Sequence, residues 1–138
     1  MPLLTRLALK SSLIYFLLAL VLNLGFALPP AWSGGFNLLR LEPVYLHLFL
    51  VGWITQFIFG VANWLFPRHS RERFNPYPRL AWSTLILLNL GLVLRVIAEP
   101  FQHMVPRILG PVLILSGITQ WLAGMTFITN LWTRITSS

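Results

Sequence analysis

The sequence has no cysteine and very little acid. Without cysteine there is no disulfide frame, zinc–thiolate site, iron–sulfur cluster or c-type haem attachment. Three carboxylates and three histidines are too few for a carboxylate-rich metal cage. Charged residues make up 9% of the 138 residues, against about a quarter in soluble domains. That excludes an ordinary soluble globular protein. Disorder is excluded as well, because 57% of the chain is hydrophobic and disordered chains are apolar-poor and charge-rich. No G-x-S-x-G, H-E-x-x-H, P-loop or glycine-rich dinucleotide fingerprint is present, so nothing points to hydrolytic catalysis and no catalytic residue is assigned. The length fits one domain.

What the chain has instead is four long apolar runs, at about 11–28, 44–66, 80–98 and 108–132. Each approaches the roughly 20 residues a helix needs to span a bilayer. The breaks between them carry Pro29-Pro30 with Ser33-Gly34-Gly35, then Pro67 to Pro78, then Pro100 and Pro106, all turn and breaker chemistry. The expected fold is all-α, an integral membrane bundle of four transmembrane helices in a single domain. The first run follows Arg6 and Lys10 like a signal peptide, but it is long for a signal core and is expected to be a retained helix.

A net charge of +7 would suggest nucleic acid in a soluble protein. Here the basic residues lie between apolar runs, so the partner is the lipid bilayer and no nucleic acid is expected. Arg6, Lys10, Arg68, Arg71, Arg73, Arg79 and Arg134 fall on one side of a four-span topology. Arg40, Arg95 and Arg107 fall on the other. The positive-inside rule then places both termini in the cytoplasm, with a bacterial inner membrane as the expected setting. The loop Arg68–Arg79 reads as a positive anchor at anionic headgroups.

Ionisable groups within a membrane point to function. His47 sits about one turn inside the second run. On an α-helix, Leu50, Val51, Ile54, Ile58 and Val61 share its face. An imidazole above an apolar wall suits a porphyrin; the alternative is a histidine bonded to a nearby carbonyl or to interfacial water. His103 precedes the fourth run on the same side, either as a second imidazole for one iron or as a plain loop histidine. Arg95 can meet Glu99 across one turn. It would hold a haem propionate or an anionic quinol, or snorkel to the headgroups. Arg40, Glu42 and Arg107 share that level, whereas His69, in the opposite loop, is given no role.

Gly52, Gln56, Gly60 and Asn63 form a stripe on the opposite side of the second helix from His47. Gln56 lies near mid-membrane, with Asn89 and Gln120 as its expected partners. Gly110, Gly117 and Gly124 recur every seven residues and predict a small-residue groove suited to packing. Trp32, Trp64, Trp82 and Trp132 fit an aromatic belt at the interfaces. Trp53 and Trp121 are expected to pack between helices.

The second helix carries a recognisable order: His47-Leu-Phe-Leu-Val-Gly52-Trp53, Phe59-Gly60-Val61-Ala62 and Phe66-Pro67-Arg68, extended by Asn89-Leu-Gly91-Leu92. This resembles part of haem–copper oxidase subunit I, nearest the cbb3-type oxidase and nitric oxide reductase branches, and small four-helix relatives of that subunit. The likeness covers about 45–100. It implies haem b, with His47 as axial ligand. The later helices that carry the second ligand and the haem–copper centre in that family have no counterpart here, so it does not imply oxygen or nitric oxide reduction. The expectation is a b-type haem membrane protein for electron transfer, with His47 and His103 as candidate iron ligands and Arg95 and Arg107 at the propionates. Expected partners are further copies of the chain or a respiratory or photosynthetic complex, with quinol as a weaker candidate. The rival is a cofactor-free structural or assembly subunit.

Overall fold

A computed structural model describes residues 1–29, 37–66 and 77–136. Trp32, His69 and the basic stretch Arg68–Arg73 lie outside the described residues. Hydrocarbon offers no water to a backbone N–H or C=O, so an apolar run in a bilayer closes its own hydrogen bonds as a helix. All regular structure among the described residues is helical, and four helices are long and apolar enough to cross a membrane.

Helix α1 spans Leu3–Phe26, just after Pro2. Helix α2 spans Leu38–Leu65. Its first turn is 3-10, and Asn37 caps it by accepting the Leu39 N–H at 3.1 Å. Helix α3 spans Tyr77–Ala98 and runs into a 3-10 turn at Glu99–Phe101. Helix α4 spans Pro106–Thr136, opening on a proline whose missing N–H has no partner to lose there.

Within α2, residues Leu48–Thr55 are π-helical, between α-helical Glu42–His47 and Gln56–Leu65. Thr55 Oγ1 donates to the Leu50 carbonyl at 2.8 Å, five residues back. A π segment of this length is unusual, and such segments concentrate at functional sites. Gly52 sits at its centre. A Cβ there would lie 2.8 Å from Leu92 and 2.9 Å from Tyr15, so glycine lets α1 and α3 close on α2.

Gly52 lies against Tyr15 and Gly60 against Ala8, so α1 and α2 run antiparallel. Thr84 meets Thr126 and Gly91 meets Ser116, so α3 and α4 do the same. The two hairpins join mainly through α2 and α3. Near the ends of α2 and α4, Phe59 and Phe127 stack at 3.7 Å. The N-terminus of α1 and the C-terminus of α4 therefore share one end of the bundle, and His47 lies toward the other.

The interior mixes apolar with polar side chains, while the outside is apolar. Ala19, Val44, Leu48 and Leu92 form the buried apolar cluster. Gln56, Ser12, Ser116 and Asn130 are also buried, whereas Leu24, Leu65, Ile108 and Ile114 are exposed. Lipid tails are as apolar as leucine, so helices gain from close small-residue packing and from hydrogen bonds rather than from a greasy core.

Candidate cofactor site

His47 closes the first α-helical part of α2, immediately before the π segment. Its Nδ1 lies 2.8 Å from the Pro43 carbonyl. A carbonyl only accepts, so Nδ1 is the donor. The ring is thereby oriented, and in the neutral form Nε2 carries the free lone pair. Metal-bound histidines are commonly fixed in this way through their second nitrogen. No hydrogen bond joins His47 to another side chain among the described residues.

The apolar wall expected beside His47 is divided. Leu50 and Ile58 are half exposed, but Val51 packs against the buried cluster. The π segment winds differently from an α-helix, so a constant 100° per residue does not carry across it. Leu50 and Ile58 face the outside of the bundle.

His103 is exposed, and its Nε2 accepts from Arg40 Nη1 at 2.6 Å. Arg95 donates to Glu99 at 3.2 and 3.5 Å, the pairing expected across one turn. Both side chains are largely buried, and the Arg95 Nε is buried without a hydrogen-bond partner. Arg107 and Glu42 are exposed. The segment Leu38–His47 packs against the Glu99–Phe101 turn, so these groups gather at one end. Among the described residues no three His, Asp or Glu side chains come together as a metal-ion cluster.

The glycine and asparagine stripe of α2 is buried throughout. Gln56, however, bonds neither Asn89 nor Gln120. It donates to Ser11 Oγ and to the Ala8 carbonyl, both on α1. Asn89 instead accepts from the Tyr15 hydroxyl at 2.6 Å, and Gln120 donates to Ser116 at 3.2 Å. The α1–α2 approach at Gly60 brings Gln56 to α1 before α3 or α4 can reach it.

Three further placements differ from expectation. Trp53 packs between helices, stacked on Phe16 at 3.9 Å, but Trp121 is 64% exposed. The α4 face toward α3 carries Ser116, Thr119 and Ala123, which turns Trp121 outward. A methyl group on Gly110, Gly117 or Gly124 would meet nothing within 4 Å among the described residues, so these glycines line no helix contact seen there. Arg134, expected as a flanking charge after the fourth span, lies within α4 and is buried. It donates to Asn130 Oδ1 at 3.0 Å and to the Asn63 carbonyl at 3.4 Å. Asn130 in turn donates to Asn63 Oδ1 at 2.9 Å. The sequence clue was Asn130 four residues before Arg134 on one helix face, opposite an asparagine at the end of the α2 stripe.

No protein-family model, curated protein or solved structure matches the chain.

Proposed function

We propose that this is an integral membrane protein that holds haem b through His47, and that it serves electron transfer as a homo-oligomer or as a subunit of a larger redox complex. The observation that carries the reading is the fixed His47 ring, with Nδ1–H committed to the Pro43 carbonyl and Nε2 left as a donor atom for iron. The motif order read in residues 45–100 as resembling haem–copper oxidase subunit I would point to the same histidine, although no family model, curated protein or solved structure supports that resemblance. Haem, when bound, supplies reversible one-electron transfer.

The residues fit one face of a haem. His47 would offer the ligand, and Leu50 and Ile58, further along α2, are exposed aliphatic side chains. In a homo-oligomer or a larger complex, a neighbouring chain would supply the rest of the haem's surroundings. His103 is a second ligand only when Arg40 gives up its Nε2. Arg95 is tied to Glu99, so of the two arginines expected at the propionates, exposed Arg107 would be the one available. The Lys/Arg distribution puts both termini on the cytoplasmic side, in a membrane such as the bacterial inner membrane.

The test is a dithionite-reduced minus air-oxidised spectrum of protein purified from haem-replete cells. Soret and α bands are expected in the wild type and in His103→Ala, and their loss in His47→Ala. A wild type without pigment contradicts the proposal. The second reading, a cofactor-free structural subunit, is favoured by the open Gly110, Gly117 and Gly124 positions on α4, where a partner helix can approach closely.

A further inference from the structure

An apolar groove of about 250 Å³ lies at the His47 end, and His47 does not line it. Its walls include Leu18 and Val21 of α1, Leu41 and Val44 of α2, and Val96 and Pro100 at the end of α3. Every lining side chain is apolar. Leu18 is 48% exposed and Val21 66%, so the groove opens sideways on the outer surface, where acyl chains are the solvent.

Two polar residues flank lining residues in the sequence. Arg40 adjoins the lining residue Leu41, and His103 follows the lining residue Pro100 by one turn. Arg40 Nη1 donates to His103 Nε2 and so bridges the two walls. The accepting ring is a neutral imidazole, which leaves the guanidinium charge uncancelled. Of the carboxylates at this end, Glu99 is held by Arg95, and Glu42 makes no ion pair with Arg40 among the described residues.

From this juxtaposition we infer that the groove holds one acyl chain of an anionic phospholipid, with its phosphate on Arg40. A guanidinium matches phosphate oxygens in a two-point geometry. A single cation at the membrane surface favours an anionic over a zwitterionic headgroup by about fivefold. The inference uses neither His47 nor haem, so a colourless protein leaves it in place.

The experiment is native mass spectrometry of the delipidated full chain, titrated with phosphatidylglycerol or with phosphatidylcholine of the same acyl chains. The wild type should take up one phosphatidylglycerol per chain about fivefold more readily than phosphatidylcholine. Arg40→Gln should erase the headgroup preference. Val21→Trp, at an exposed groove residue, should reduce uptake of both lipids. Equal uptake of the two lipids by the wild type overturns the inference, as does a preference that survives Arg40→Gln. Solvent extraction of the purified protein that yields a stoichiometric isoprenoid quinone overturns it too. The wild-type comparison stands even if a variant fails to fold.

Discussion

Asn63 serves three groups at once. Its amide donates to the Phe59 carbonyl, its Oδ1 accepts from Asn130, and its own carbonyl accepts from Arg134. Replacing it by leucine keeps the volume and the backbone carbonyl that accepts from Arg134, but removes the Oδ1 that accepts from buried Asn130. Asn63→Leu should destabilise the fold by about 1–3 kcal/mol, the cost of leaving a buried polar group without that partner. A lower thermal midpoint by circular dichroism in detergent is the check, and an unchanged midpoint contradicts the assignment. This network was only half legible in the sequence. The stripe ending in Asn63 follows from spacing, but Arg134 reads as one more flanking positive charge because hydropathy locates the bilayer, not the helix end. His47 was legible as an isolated ionisable group inside an apolar run. A bond to a nearby carbonyl was the alternative to a haem ligand for that histidine, and the structure has this bond, to Pro43; spacing did not say which carbonyl.

The helices themselves were readable from apolar runs alone, since lipid forces each run to satisfy its own backbone. Their ends were not, because polar residues continue a helix beyond the hydrocarbon. Helix α1 begins at Leu3 where hydropathy marks about Ser11, and α4 continues to Thr136 where it marks about Trp132. The π segment of α2 left no signal in composition, and it rearranged the face beside His47. Glycine shows which contacts between elements are close. A methyl group on Gly91 would lie 2.6 Å from Thr119 Oγ1 and 2.9 Å from the Ser116 carbonyl, and the latter is backbone that cannot turn aside. Gly91→Ala should therefore cost about 1–3 kcal/mol of stability, and Gly52→Ala a similar amount. Gly117→Ala meets open space and should leave the midpoint of the isolated chain unchanged. Thermal melts of the three variants under one detergent condition decide this. A destabilised Gly117→Ala would place that face of α4 in a contact between copies.

Over the whole molecule, two antiparallel hairpins put Arg6, Lys10, Arg79 and Arg134 toward one end and Arg40, Arg95 and Arg107 toward the other. The fold makes the two termini neighbours, and the proposed cytoplasmic placement of both rests on the charge distribution. A C-terminal green fluorescent protein fusion should fluoresce, and alkaline phosphatase fused after Met104 should be active. An active phosphatase at the C-terminus would reverse the topology. An exterior this apolar needs lipid or another chain along its length. Leu50 and Ile58 of α2 lie on that exterior.

The central claim is that His47 binds iron directly, and chemical rescue tests it most closely. His47→Gly should purify without a Soret band, and added imidazole should restore the band at its wild-type position. A glycine variant that keeps its haem spectrum without imidazole contradicts the account.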